Sequence, residues 1–182
     1  MSTLKIEAIE TARLDLLPLA VEHADEMADV LGDPALHVFT GGAPHSARAL
    51  RARYERLVAG SPDPAETWWN WVILLREEHR PTGTVQATVT TAEHGLVAAV
   101  AWVVGTPWQG RGIATEAARG LTAWLREQDV RVIRAHIRPD HRASAAVAAA
   151  AGLAPTAHRH EGEIRWELRT DGPGGAAGRP RA

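Results

Sequence analysis

The feature that most constrains this chain is an apolar strand that runs into a glycine turn and leaves it as a helix. Leu96 to Val104 is an unbroken apolar run between Gly95 and Gly105, which reads as a strand buried on both faces. Downstream, Ala114, Ala117, Ala118, Leu121, Trp124 and Leu125 recur at helical spacing, with Glu116, Arg119, Thr122, Arg126 and Glu127 on the other side. That is the stripe of a helix packed on a sheet. Between the two lies Trp108-Gln109-Gly110-Arg111-Gly112-Ile113-Ala114, with two glycines and no acidic residue. Backbone N–H groups at such a helix start can be approached closely by an anion, and the helix dipole adds to the attraction. The turn is therefore a candidate phosphate cradle, with a plain glycine turn of some other α/β protein as the alternative.

The residues around the turn narrow its ligand. A mononucleotide loop needs Gly-Lys-Ser or Gly-Lys-Thr, and Gly112 is followed by Ile113, so that class is excluded. A dinucleotide fingerprint wants glycines at 110, 112 and 115, but position 115 is Thr. Asp129 precedes the next apolar run instead of ending it, so the acid that would hold a ribose is misplaced.

The remaining elements fall into order around this unit. Thr11 to Leu19 alternates about Leu14 and Leu16, and Pro18 marks an edge or the end of a strand. A helix from about Glu22 to Leu31 is stopped by Asp33-Pro34. Residues 35–44 have no period and read as a loop. Ser46 caps a helix running to Ala59 with Gly60 beyond, its stripe formed by Leu50, Tyr54, Leu57 and Val58. Thr67 to Leu75 and Thr84 to Thr90 are strands, the second half-exposed, and Trp68, Trp69 and Trp71 are read as core, with one ring lining an acceptor pocket as the alternative. Val130 to Ile137 is a strand, Ala143 to Ala151 an alanine-rich helix ended by Gly152, and residues 155–169 a hairpin around Glu161-Gly162-Glu163. This order predicts one α/β domain over residues 1–170, a mixed sheet of six to seven strands flanked by about four helices. Residues 171–182, rich in Gly, Ala, Pro and Arg, read as a disordered tail.

Composition removes several classes of function. The net charge is −2, from 20 basic and 22 acidic side chains, and the arginines Arg48, Arg51, Arg53 and Arg56 do not share one helix face. A solvated helix surface explains them better than a nucleic-acid contact. The absence of cysteine removes disulfides, thiolate nucleophiles and cysteine-based zinc sites. With no signal pattern and no run of membrane-spanning length, the expectation is a soluble cytoplasmic protein without a membrane partner.

Gln109, Gly112 and Ala114 satisfy the pattern Gln/Arg-x-x-Gly-x-Gly/Ala, which resembles the acetyl-coenzyme A pyrophosphate loop of the GNAT N-acetyltransferases. A second stretch is similar to that family's Asn-x-x-Ser-x-x-Val signature: Asp140-His141-Arg142-Ala143-Ser144-Ala145-Ala146-Val147 through Gly152-Leu153. Together with Thr11-Ala12-Arg13-Leu14 and Gly112 to Ala117, these stretches resemble the RimJ/RimL branch, which acetylates N-terminal amines of ribosomal proteins. The resemblance covers roughly residues 11–169. It implies an acyl-CoA N-acyltransferase fold, a preceding strand splayed from its neighbour, and acetyl-CoA as cosubstrate with no metal. Implied cosubstrate contacts are Trp102, Val103 and Val104 on the strand, Gln109, Gly110, Arg111, Gly112, Ile113, Ala114 and Thr115 on the loop and helix, and His141 and Ser144. His141 stands where the branch usually has Asn. Ala148 stands where many members carry a Tyr general acid, which makes Ser144 the candidate for bonding the leaving thiolate.

The reaction so implied is acetyl transfer to a primary amine by direct attack on the thioester, without a protein nucleophile. It needs orientation, a backbone N–H near Val103 or Val104 for the oxyanion, and deprotonation of the amine. Glu161 is the first candidate base, with His160 beside it and Glu93-His94 as further candidates. Glu116, in the first helical turn, is read as structural. A homodimer is compatible with the family. Three rivals stay open: a CoA-binding regulatory module without turnover, a nucleic-acid-binding domain, and an antibiotic or polyamine acetyltransferase, which would have an acidic acceptor pocket.

Overall fold

The computed structural model describes residues 5–170; the expected tail at 171–182 lies outside the described residues. Eight strands form one sheet: β1 (Ile9–Glu10), β2 (Leu14–Pro18), β3 (Glu66–Leu75), β4 (Arg80–Ala92), β5 (Gly95–Val104), β6 (Val130–Ile137), β7 (Ala154–His160) and β8 (Glu163–Arg169). Their order across the sheet is β1-β2-β3-β4-β5-β6-β8-β7. Every pairing is antiparallel except β5 with β6. Five α-helices accompany it: α1 (Ala24–Val30), α2 (His37–Thr40), α3 (Ala47–Ala59), α4 (Ile113–Glu127) and α5 (Arg142–Ala150).

The counts exceed the expected six to seven strands and four helices by two short elements. One is β1, in a stretch without a pattern to read. The other is α2, in the segment read as a loop: Asp33 caps a 3-10 turn at Pro34–Leu36 by accepting from the Ala35 N–H, and α2 follows directly. Four residues carry no measurable helical period, so only the surroundings decide that they coil.

α4 forms the crossover between the two parallel strands and packs on β5, β6, β1 and β2. Its buried stripe contains Ala117, Ala118, Leu121, Trp124 and Leu125, as the spacing predicts. Thr122, assigned to the polar side, is buried as well and donates its hydroxyl to the Ala118 carbonyl at 2.7 Å. Trp124 meets Trp69 and Trp71 edge-on, at ring-centroid distances of 4.9 and 5.2 Å. Two of the three tryptophans of β3 are therefore core. Trp68, one residue out of phase, is half-buried on the opposite face.

β5 corrects one expectation. Ala98, Val100 and Val104 are buried, but Ala99 and Ala101 are exposed. An apolar run cannot by itself distinguish two covered faces from one, and here helices α1 and α3 cover only part of the second face. On α3, Leu50 and Tyr54 are buried and Ser46 and Gly60 cap the ends as predicted, whereas Val58 is 54% exposed and leaves the stripe.

Candidate active site

The glycine turn is held by its neighbours from both sides. Glu78 accepts from Trp108 Nε1 and from Arg111 Nη2, each at 2.8 Å, and these bonds hold its carboxyl below the usual range. Gln109 Nε2 donates to the Val104 carbonyl at 3.0 Å. Arg13 Nη1 donates to the Arg111 carbonyl at 3.0 Å, while its Nε and backbone N–H both reach Glu116 at 2.7 Å. Glu116 also accepts from Thr11 Oγ1 at 2.6 Å. Burial alone would raise the Glu116 pKa, but the bonds from Thr11 and Arg13 outweigh it and hold the carboxylate ionised. Its charge is turned toward Arg13, so it ties the start of β2 to the loop.

Gly110 and Gly112 have φ of +72° and +76°, a region that L side chains rarely adopt. Gly112 is the N-cap of α4 and supplies no side chain to it. The first bond of the helix runs from the Glu116 N–H to the Gly112 carbonyl. The N–H groups of Ile113, Ala114 and Thr115 thus have no intrahelical acceptor, and they point out of the helix start where an anion would sit.

The strand before the loop is splayed. β5 and β6 pair only from Leu96 to Ala99, whereas β6 continues beside β8 as far as Ile137. From Val100 onward β5 has lost its neighbour on that side. The phase of the remaining edge follows from β4. Gly105 donates to the Thr82 carbonyl and Val103 stands opposite Thr84, so the Val103 backbone faces β4. By alternation, Trp102 and Val104 turn their backbone groups to the open side. The bond from Gln109 to the Val104 carbonyl agrees with this phase.

The N-terminus of α5 stands across the open edge. His141 is its N-cap: Nδ1 accepts from the Ser144 N–H at 3.3 Å, and the ring stacks on Phe39 with centroids 4.0 Å apart. Burial, opposed by Asp140, lowers its pKa. A histidine can therefore fill a capping position usually given to Asn, because its unprotonated Nδ1 supplies the acceptor. Ser144 Oγ accepts from Trp102 Nε1 at 3.1 Å. With one lone pair so engaged, the hydroxyl hydrogen is free to point elsewhere.

These elements enclose a cavity of about 570 Å³. The implied cosubstrate residues all line it except Arg111, whose guanidinium is tied to Glu78. Ala35, Leu36, Phe39 and Thr40 line it too, and nothing in the sequence singles them out, because their segment has no period. A second cavity of about 440 Å³ lies between β3–β5 and helices α2 and α3. The two share Leu36, Thr40, Trp102 and Val103, so they meet at the open edge of β5.

Other candidates fall elsewhere. Glu93 and His94 form the turn before β5, separated from Trp102 by most of that strand, about 25 Å at 3.3 Å per residue. Glu161 and His160 stand at the β7–β8 turn, beyond the C-terminal end of β6 and at the same end of the sheet as the loop. Both are exposed, His160 facing the His136 ring at 5.8 Å, and neither lines either cavity. Among the described residues, no group of three side chains could hold a metal ion, and no helix is long and apolar enough to cross a membrane.

A splayed strand, an uncapped helix start and two cavities meeting between them define a site for transferring a group from one bound molecule to another. A sequence profile of the acetyltransferase (GNAT) domain matches residues 13–154, and the chain belongs to that family, whose members move an acetyl group from acetyl-CoA to an amine. Solved structures with the same fold include a GNAT-family acetyltransferase from Bacillus anthracis, 16% identical with a TM-score of 0.74, matched over 90% of this chain and 98% of that one. An acetyltransferase from Salmonella typhimurium that modifies the N-terminal serine of a 50S ribosomal subunit protein is 18% identical, with a TM-score of 0.73 over 91% of this chain and 100% of that one. The spermidine N-acetyltransferase of Vibrio cholerae, in complex with CoA and spermine, is 14% identical, with a TM-score of 0.69 over 87% and 96%. No curated protein sequence matches the chain significantly.

Proposed function

We propose that this chain acetylates a primary amine by direct attack on acetyl-CoA, with the cosubstrate in the larger cavity and the amine in the smaller one. The observation that carries this reading is the meeting of the two cavities at Trp102 and Val103, on the free edge of β5. The pyrophosphate takes the N–H groups at the start of α4, and the pantetheine arm runs back along β5. The Trp102 N–H, shared by both cavities and turned to the open side, is the donor for the oxyanion. Strand phase turns the Val103 N–H toward β4, and of the two residues that face the open side, Trp102 and Val104, only Trp102 lines both cavities.

In the reaction the amine nitrogen bonds to the carbonyl carbon, the carbon–sulfur bond breaks and the thiolate departs. Ser144, held by Trp102, donates a hydrogen bond to that sulfur and keeps its own proton. The amine proton needs an acceptor. His37 lines the amine cavity and its Nε2 is buried without a partner, which favours it as base. Glu161 and His160 are the distal pair and can serve only if the hairpin tip moves toward the cavity mouth.

The rival readings separate on observable features. A polyamine or antibiotic acceptor calls for carboxylates in its pocket, and among the described residues no Asp or Glu lines the smaller cavity. A regulatory CoA-binding module would bind acetyl-CoA without releasing thiol. A homodimer, compatible with the family, is tested by light scattering.

Calorimetric titration with acetyl-CoA tests the reading, using the parent, Gly112→Asn and Gly112→Asp. Asn tolerates a positive φ, so it controls for backbone strain, while Asp adds a carboxylate facing the phosphates. Binding by the parent and the Asn variant, with at least tenfold weaker binding by the Asp variant, supports the loop assignment. Absence of binding by the parent overturns it.

A further inference from the structure

We infer that the acceptor is a small amine bearing a carboxylate, an α-amino acid with an apolar side chain, whose carboxylate is bound by Arg53. The inference rests on the acetyltransferase reading and concerns the smaller cavity alone. α3 turns Leu50, Arg53, Tyr54 and Leu57 to that cavity, the i, i+3, i+4, i+7 face of one helix. Arg53 makes no ion pair or hydrogen bond with any described residue, in contrast to its neighbour Arg51, which is bound to Asp25 at 2.7 Å. It is exposed, which places it at the cavity mouth.

Two buried polar atoms in the same wall point to a ligand. Tyr54 is only 3% exposed and its hydroxyl has no partner; His37 Nε2 is likewise buried and unpaired. A buried polar group left without a partner is costly, a penalty that a polar ligand reaching it removes. Burial pushes the Tyr54 phenol up to about 12, against the pull of Arg53, so the hydroxyl keeps its proton and serves as a donor. Asn70 and Gln86 add neutral hydrogen-bonding groups, while Leu19 and Leu31 supply apolar wall.

The sum is a pocket of leucines and neutral polar side chains with two histidines, a free cation and, among the described residues, no carboxylate. A polyamine would bring a second positive charge beside Arg53 with nothing to neutralise it. A carboxylate would meet a guanidinium able to bind it through two parallel bonds. An amino acid held through its carboxylate by Arg53 carries its amine only one carbon away, on the side of the pocket that faces Trp102 and His37, with its side chain among the leucines.

Thiol release from acetyl-CoA, measured with a matched panel, tests this. The panel pairs L-leucine, L-methionine and L-phenylalanine with their amides, and adds 3-methylbutylamine and spermidine. At least one free amino acid is expected to exceed its amide tenfold or more in kcat/KM, although the amide's amine loses its proton more readily. Arg53→Ala should raise KM for that amino acid about tenfold and leave its amide unchanged, and Arg53→Glu should reverse the preference. Equal or better turnover of amides, 3-methylbutylamine or spermidine by the parent overturns the assignment, as does indifference to both Arg53 substitutions. If acetyl-CoA binds but no amino acid is acetylated, the acceptor assignment falls alone. If acetyl-CoA does not bind, the acetyltransferase reading falls with it.

Discussion

At the residue scale, the bond from Trp102 Nε1 to Ser144 Oγ joins β5 to α5, the elements that in the proposed reaction present the thioester and receive the departing sulfur. Removing the hydroxyl in Ser144→Ala should lower kcat about 10- to 100-fold with little change in acetyl-CoA affinity, since general acid and hydrogen-bonding groups typically contribute in that range. Trp102→Phe keeps an aromatic ring but removes the indole N–H and frees the hydroxyl to rotate, and steady-state kinetics should show a smaller loss in the same parameter. Two histidines do a different job by accepting backbone N–H bonds through Nδ1: His23 from Ala20 at 3.0 Å and His141 from Ser144. Burial lowers the pKa of both. A histidine whose folded pKa lies below its unfolded value of about 6.5 adds stability above that pH and loses it as pH falls through the folded value. The melting temperature should therefore decline on acidification from pH 7 to pH 5. The double substitution His23→Asn and His141→Asn, which keeps a side-chain acceptor without a titrating group, should flatten that part of the decline in a thermal-melt series.

At the element scale, the path of β4 depends on one glycine. Ile73 stands opposite Gly83 and Leu74 opposite Pro81, so Thr82 is an extra residue, its hydroxyl donating to the Ile73 carbonyl at 3.2 Å. A Cβ on Gly83 would come within 2.1 Å of the Val103 carbonyl oxygen. No side-chain rotation relieves a clash of Cβ with backbone. Gly83→Ala should destabilise the fold by about 2–3 kcal/mol, read by urea unfolding, and should also weaken acetyl-CoA binding because it displaces the end of β5. The long elements were legible from sequence: α4 and α3 from their stripes and caps, β4 from its alternation, and the β7–β8 turn from Glu161-Gly162, both at positive φ. The loop and Ser144 were legible because a glycine pair and a fixed spacing survive as local patterns. α2 was not, since four residues cannot carry a period, and with it Phe39 of the larger cavity and His37 of the smaller one stayed hidden. The insertion of β8 between β6 and β7 was equally invisible, because strand order depends on pairings between distant segments.

At the scale of the whole molecule, the larger cavity draws on α2, β5, the glycine loop, α4 and α5, so its ligand would bridge elements that otherwise touch only in part. A ligand that binds only the folded state stabilises by mass action, about 2.7 kcal/mol at 100 times its dissociation constant. For a chain of this length that corresponds to a rise in melting temperature of about 5–10 °C. Scanning calorimetry should show this with acetyl-CoA for the parent and not for Gly112→Asp. The local sequence determined the pieces of this protein: which segments coil or extend, where glycine permits a helix to start open to an anion, and which family's loop that is. Those properties depend on near neighbours along the chain, through spacing, capping and backbone freedom. Only the tertiary structure decided that β5 parts from β6 after Ala99, that Trp102 rather than Val103 offers its N–H to the gap, and that the smaller cavity gathers Arg53, Tyr54 and His37 with no carboxylate among the described residues. Each of these is a relation between segments far apart in sequence, set by how helices and strands pack.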